Sequence, residues 1–110
     1  MPNSTEAAQA VPQPDPLFPL GQLLATPGAL RVLLALGVAP STLIRRHVHG
    51  DFGNLDLHDQ EQNRMAVAHG HRVFSAYELP RPSGSGTTQR IWVITEADRA
   101  CTTLLLPEEY

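Results

Sequence analysis

The chain has 110 residues, which suits one domain, and its formal net charge is −3. No run approaches the roughly 18 apolar residues that span a bilayer, and the N-terminal sequence lacks the basic and apolar regions of a secretory signal, so no membrane association is expected. The acidic balance argues against direct nucleic-acid binding, which requires clustered cations. Cys101 is the single cysteine, which excludes an internal disulfide and favours a reducing, cytoplasmic location.

Residues 1–20 predict a flexible, proline-rich tail. The segment combines prolines with polar residues and lacks a hydrophobic period, so it cannot bury enough surface to offset the entropy lost on ordering. Leu17, Phe18 and Leu20 are apolar exceptions that could attach the end of the tail to the rest of the chain. Residues 21–110 are predicted to form a single α+β domain.

The first helix is predicted directly after Thr26, a good N-cap that is followed by a proline suited to the first turn. Leu30, Leu33 and Leu34 then recur at helical spacing, which indicates a buried face. Gly37 is placed to end the helix.

Two further helices are predicted before residue 72. The first opens at Pro40 and covers Ser41 to about Val48. The second runs from Asp56, a suitable N-cap, to His69, and Gly70 is placed to end it. Its modest apolar face consists of Leu57, Met65 and Ala68, with Val67 nearby.

The hydrophobic period changes near residue 72 from a helical spacing to two residues. Alternating side chains over Val73–Leu79 and an apolar run in Gln89–Thr95 predict two strands joined by the loop Pro80–Thr88. The turn Glu96–Arg99 leads into a third strand, Thr102–Leu106. Because connections this short join antiparallel neighbours, we expect a three-stranded meander with two or three short helices packed on it, an α+β fold.

All five histidines lie between positions 47 and 71. His47, His49 and Asp51 offer the imidazole and carboxylate groups that suit a divalent metal ion. Their spacing matches no established ligand motif, and solvated polar side chains around a helix end are the simpler interpretation. No cofactor is predicted, because the glycine-rich stretch Ser83–Gly86 lacks a basic partner for phosphate.

Cys101 and Ser75 carry the side chains that would act as nucleophiles if a histidine activated them. Both lie in or beside predicted strands, where a lone cysteine is usually a small core residue. Ser75 lacks the sequence of a nucleophile elbow. The sequence therefore favours a structural role for both residues.

The turn Glu96–Arg99 places two carboxylates and a guanidinium within four residues. Glu96 and Asp98 could share a proton or hold a cation. The structural alternative is that Asp98 caps the turn and Arg99 forms an ion pair. Together with the histidine region, the turn defines a candidate functional cluster of His47, Asp51, Asn63, Tyr77, Glu96, Asp98 and Arg99.

Four segments of the chain resemble a family of small bacterial proteins encoded on plasmids, integrative elements and phages. They are HxxGDFG (47–53), SAY (75–77), IWVITEADR (91–99) and TTLLLPEEY (102–110), with Asp59 and Asn63 between the first two, within a similarity that covers roughly Pro27–Tyr110. The chain has Phe52 where the commoner family form has tryptophan, and its loop Pro80–Thr88 is longer. The resemblance implies cargo of mobile elements, among which small acidic proteins often inhibit host defence or act as regulators.

Two functions are therefore expected as alternatives. The first is a mobile-element accessory protein that binds another protein, as an inhibitor of host defence of the anti-restriction or anti-CRISPR type or as a regulator; an acidic protein can occupy a cationic channel by charge complementarity. The second is a small metal-assisted or acid–base hydrolase or nuclease, in which His47 and Asp51 face the turn Glu96–Arg99 across one cleft. The first is preferred, because no convincing catalytic set is present. A DNA-binding regulator or toxin-like ribonuclease is disfavoured by the charge.

Overall fold

The computed structural model of the protein describes residues 15–81 and 88–110. Within these ranges the elements are β1 (Gln22–Ala25), α1 (Pro27–Leu36), α2 (Pro40–Val48), α3 (Leu57–His69), β2 (Val73–Pro80), β3 (Thr88–Thr95), β4 (Cys101–Leu105) and a 3-10 turn (Pro107–Glu109). The α+β class and the three predicted helices are confirmed. The predicted flexibility of residues 1–14 and the interior of the long loop, 82–87, lie outside the described residues.

The four strands form one mixed sheet in the order β1–β4–β3–β2. β2 with β3 and β3 with β4 are antiparallel, which confirms the predicted meander. The expectation of three strands is wrong, because β1 adds a fourth that pairs in parallel with β4, with Gln22 opposite Cys101. Four residues without alternation give no local strand signal, and their pairing partner lies at the other end of the chain.

The predicted helix boundaries are confirmed by their caps. The Thr26 side chain accepts a hydrogen bond from a first-turn N–H of α1 at 3.0 Å, and the Asp56 side chain does the same for α3 at 2.8 Å. Gly37 and Gly70 end these helices in the left-handed conformation, with φ of 71° and 74°. Local capping chemistry therefore fixes where both helices begin and end.

The predicted buried face of α1 is wrong in part. Leu33 is 1% exposed, whereas Leu30 and Leu34 remain 46% and 83% exposed. The helix packs on the core through Ala29 and Leu33, with Val32 and Leu36 partly buried beside them, so Leu30 and Leu34 face outwards. Helical spacing alone cannot distinguish these two sides of an apolar helix.

The predicted face of α3 is also wrong, since Leu57, Met65 and Ala68 are all exposed. The helix instead turns Asn63 towards the sheet. The Asn63 amide group donates to the Phe74 carbonyl of β2, and its oxygen accepts from the Phe74 N–H at 3.0 Å. This pair of contacts holds α3 against β2 together with the buried Ala66 and the half-buried Val67.

Two hydrophobic clusters fill the space between the helices and the inner face of the sheet. The larger consists of Ala29, Leu33, Leu43, Ile44, Tyr77, Leu79, Ile91, Val93 and Leu104. The smaller consists of Phe18, Val48, Phe52, Ala66 and Val73. Phe18 is 5% exposed, and the Leu17 N–H donates to the Val48 carbonyl at 2.9 Å, so the residues ahead of β1 pack on the domain.

Among the described residues, no single helix is both long and apolar enough to cross a membrane. The pair α1 and α2 meets the length and composition criteria when taken together, with a bend of 105° between the two helices. Leu33 of α1 and Leu43 of α2 are each 1% exposed and belong to the larger cluster.

The segment after α2 pairs with the free edge of β2 through a close backbone contact at Gly53. This glycine forms a parallel bridge with Ala76 and has a φ of 81°. A Cβ at Gly53 would lie 2.1 Å from the Ala76 carbonyl oxygen. The segment covers the edge of β2, and only glycine fits at the point of contact.

Replacement of Gly53 by alanine should therefore be more destabilising than the same change at Gly37. Both glycines have positive φ, which costs alanine about 1 kcal/mol, but nothing lies within 4 Å of a Cβ at Gly37. The clash at Gly53 should add roughly 1–3 kcal/mol. Urea denaturation of Gly53→Ala and Gly37→Ala measures the difference, and equal losses would contradict the backbone contact.

Candidate functional site

His47 lies fully buried between α2 and the sheet and belongs to a chain of hydrogen bonds. Its Nδ1 is 2.6 Å from the Ser75 hydroxyl, and its Nε2 is 2.9 Å from the Thr95 hydroxyl. Thr95 is in turn 2.7 Å from the Thr102 hydroxyl, which donates to the Leu20 carbonyl at 2.8 Å. The chain thus links α2, three strands and the segment before β1.

The Leu20 carbonyl, at the end of this chain of hydrogen bonds, fixes the direction in which each hydroxyl donates. Because the Leu20 oxygen can only accept, the Thr102 hydroxyl donates to it and must accept from Thr95. Because the Thr95 hydroxyl proton is donated to Thr102, the Thr95 oxygen accepts a hydrogen bond from Nε2–H of His47. The remaining ring nitrogen, Nδ1, accepts from the Ser75 hydroxyl, and the geometry assigns His47 as the neutral Nε2–H tautomer.

Burial lowers the pKa of His47 to about 4, and the charge of Arg99 adds to the shift. His47 is therefore neutral at pH 7. Ser75 is as fully buried as His47. The pair has the spacing of a nucleophile and its base, but neither side chain reaches the surface to meet a substrate, so the contact stabilises the fold.

Asp51 and Tyr77 anchor the turn that follows α2. The Asp51 carboxylate binds the Arg46 guanidinium at 2.6 Å, and this contact lowers the pKa of Asp51. The Tyr77 hydroxyl donates to the Asp51 backbone carbonyl at 2.7 Å, while Arg46 lies 4.5 Å above the Tyr77 ring. Burial raises the pKa of Tyr77, so its hydroxyl stays protonated as a donor.

The two carboxylates of the turn Glu96–Arg99 have separate structural partners. Glu96 forms an ion pair with Arg72 at 3.2 Å. The Asp98 side chain accepts a hydrogen bond from the Ala100 N–H at 3.0 Å, which confirms the predicted turn cap. The contacts do not show the two carboxylates sharing a proton.

Arg99 satisfies carbonyl groups, which differs from the ion pair predicted for it. Its guanidinium donates to the His71 carbonyl at 2.6 Å and to the Ala66 carbonyl at 3.2 Å, near the C-terminal end of α3. The residue itself has a φ of 60°. A cation in this position stabilises the negative end of the helix dipole.

The seven candidate residues therefore do not converge on one open cleft. His47 and Arg99 both lie against the Phe18 ring, whose centroid is 5.2 Å from that of the imidazole and 5.4 Å from the guanidinium. Asp51 and Tyr77 form a second group, and Asn63 binds the β2 backbone elsewhere. Glu96 and Asp98 remain at the turn.

The structure also bears on the metal ligands considered for His47, His49 and Asp51. Within residues 15–81 and 88–110, no group of three or more His, Cys, Asp or Glu side chains is arranged to hold a metal ion. Both ring nitrogens of His47 face hydroxyl groups, and Nδ1 of His49 lies 2.8 Å from the Arg45 carbonyl.

Two exposed surfaces were missed by the sequence reasoning. The first, the leucine surface, surrounds Leu23, Leu24, Leu30 and Leu34, which are 41–83% exposed. It contains cavities of about 450 and 210 Å³ that both border Pro40. The only signal in the sequence was the number of leucines in α1, which exceeds the number that a single helix face can bury.

The second surface, the outer groove, lies on the sheet face opposite the helices α1 and α2. Phe74 and Trp92 are half-buried there, with ring centroids 4.9 Å apart, and both line two cavities of about 310 and 270 Å³. Alternation along β2 and β3 places both aromatic side chains on this face. Its acidic rim comes from α3, which sequence alone could not place beside the sheet.

No protein-family model matches the chain, and comparison with curated proteins and with solved structures likewise gave no significant match. The resemblance to mobile-element proteins therefore stays a prediction. Any function assigned to the chain depends instead on the geometry of its described residues.

The stability of the fold should fall as the pH drops from about 6.5 towards 4. In this window the unfolded chain protonates His47, whose ordinary pKa is 6.5, while the folded chain keeps it neutral. Above pH 6.5, the pKa in the unfolded chain, the neutral His47 contributes its full stabilisation. By about pH 4, the pKa in the folded chain, roughly 3 kcal/mol of the free energy of unfolding is lost. Denaturant titrations across the window measure the loss. His47→Gln should reduce this loss of stability, whereas His58→Gln, at an exposed histidine, should retain it. Similar curves for the native chain and both variants would contradict the assignment of the loss to His47.

The tautomer assignment is testable by NMR of the 15N-labelled protein at pH 7. Nε2 of His47 should carry the proton and Nδ1 should not, because the Leu20 carbonyl sets the direction of the hydrogen-bond chain. Thr95→Val should leave the Nε2–H without an acceptor and cost roughly 1–3 kcal/mol. A proton on Nδ1 in the native protein would contradict the assigned tautomer.

Proposed function

We propose that this protein is a mobile-element accessory factor that acts by binding another protein, as an inhibitor of host defence or a regulator. The observation that carries the proposal is the leucine surface. Leu34 is 83% exposed on α1 beside a cavity of about 450 Å³, and Leu23 is 54% exposed on β1. Soluble proteins rarely leave contiguous apolar surface of this kind open, and such patches usually mark interfaces.

The chemistry of the leucine surface defines the partner. Both cavities are lined by uncharged residues, mostly leucine, valine, alanine and proline. The occupant is therefore an apolar helix or loop of a different protein, whose side chains fill the cavities beside Leu34 and Leu24. The buried centre of a protein interface has this uncharged character.

The edge of the sheet supports the same surface. β1 is an edge strand with the sequence Gln22-Leu23-Leu24-Ala25, and it carries none of the charges or prolines that commonly protect a free edge. Its outward side is continuous with the cavity that Ile44 and Leu104 also line. A partner docked there would cover both the strand edge and the exposed leucines.

The hydrolase alternative has less support. It requires His47 to act on a substrate beside Asp51 and Glu96, but His47 is fully buried. Asp51 and Glu96 are each paired with a different arginine. Each of these contacts contributes to the fold, and no catalytic arrangement results from them.

Leu34→Gln should abolish partner binding, because it places an amide at the centre of the apolar surface. The tagged protein is used to capture partners from a lysate of a bacterial host. Leu57→Gln is the matched control, since Leu57 is 81% exposed on α3, outside the leucine surface. We expect a partner with the native chain and with Leu57→Gln, and a loss of at least tenfold with Leu34→Gln. Equal capture by all three chains would contradict the proposal.

Two further measurements separate the possible occupants. Light scattering of the purified chain should report a monomer; a dimer that Leu34→Gln dissociates would assign the surface to a second copy instead. In a host with an active restriction or CRISPR system, expression of the native chain should raise phage plating, and Leu34→Gln should not. Failure of both chains to raise it would exclude the inhibitor role.

A further inference from the structure

We propose that the outer groove binds an extended basic segment of a partner protein. One cationic side chain of that segment occupies the acidic end of the groove, and one aliphatic side chain occupies the apolar end. This surface is separate from the leucine surface. No residue lines the cavities of both surfaces, so each can be tested without the other.

The groove exists because the outer face of the sheet is only partly covered. Phe74 on β2 and Trp92 on β3 point away from the core, and the Tyr110 ring packs against Trp92 with centroids 5.7 Å apart. Tyr110 remains 70% exposed. Phe74 and Trp92 form a wall that both cavities share, so the two cavities adjoin along the outer groove.

The end of the groove towards α3 is acidic. Its cavity of about 310 Å³ is lined by three carboxylates, Asp56, Asp59 and Glu78, and by a single guanidinium, Arg90. Arg90 is already paired with Glu78 at 2.9 Å. Asp56, which also caps α3, and Asp59 are not paired with a cation of the lining, and they lie beside an aromatic wall on a chain that is acidic overall.

The opposite end of the groove is apolar. Its cavity of about 270 Å³ is lined by Ile94 and the three aromatic rings, with Arg72 at the rim. The Arg72 charge is already engaged, because its guanidinium binds Glu96 at 3.2 Å and the Tyr110 hydroxyl at 2.6 Å. The space that remains suits an aliphatic side chain.

A basic peptide segment matches both ends. A guanidinium pairs with carboxylates and stacks favourably on an indole face, so the acidic cavity beside Trp92 suits arginine in particular. Side chains at positions i and i+2 of an extended segment share one face and are about 7 Å apart. Arginine followed two positions later by leucine would therefore place one side chain in each of the adjoining cavities.

Trp92 makes the proposal directly measurable, because it is the only tryptophan of the chain and lies in the shared wall. The probe is the peptide acetyl-Gly-Arg-Ser-Leu-Gly-amide, titrated into the full-length protein while tryptophan fluorescence is recorded. We expect a saturable change whose midpoint rises with salt. The same peptide with citrulline for arginine should bind at least tenfold more weakly. No saturable change, or equal binding of the citrulline peptide, would overturn the proposal.

Matched variants on α3 test the acidic end. Asp59→Asn should weaken the binding of the arginine peptide about two- to fivefold, which is the effect of losing one exposed ion pair. Glu61→Gln makes the same charge change on the same helix, outside the groove, and should have no effect. Equal effects of the two variants would overturn the assignment. A larger fluorescence response to oligothymidylate than to the peptide would also overturn it, since it would identify the groove as a base-stacking surface.

Discussion

The buried hydrogen-bond chain through His47 is the constraint on which the fold depends. It joins α2 to β2, β3 and β4 and ends at the Leu20 carbonyl, just before β1. Each donor in the chain has an acceptor, and no described buried side-chain polar atom lacks a partner. A polar network at the centre of a small core is stabilising only when it is satisfied in this way. It also fixes one register of helix and sheet, because a shifted strand would leave the imidazole unpaired.

The distribution of polar groups follows from this constraint. Residues that suggested chemistry, such as Asp51, Asn63 and Arg99, hold turns and helix ends in place around the network. Their partners are backbone groups or neighbouring arginines, which satisfy atoms that a 110-residue chain cannot leave unpaired. In so small a domain the polar residues are needed to complete the fold. This explains why a conspicuous cluster in the sequence is divided among separate structural contacts.

Both proposed binding sites use surfaces that the core leaves exposed. The leucine surface results from α1, which is apolar around more of its circumference than the sheet can cover. The outer groove results from the two-faced character of the sheet, since only its inner face is packed by α1 and α2. One surface is uncharged and the other is acidic and aromatic. The partners proposed for them therefore differ in chemistry.

Much of the fold could be predicted because its signals are local. Caps at Thr26 and Asp56, glycines at 37 and 70, and the change of period near residue 72 each depend on neighbouring residues, and all are confirmed. The β1–β4 pairing, the exposure of Leu34 and the partners of His47 depend on residues distant in the sequence. The sequence shows the chemical type of each candidate residue. Tertiary contacts decide whether those residues lie close together. The sequence by itself therefore determined the three helices, the antiparallel meander and their order, but not β1. Only the tertiary structure decided which sides of them are buried, because that choice is set by packing between elements.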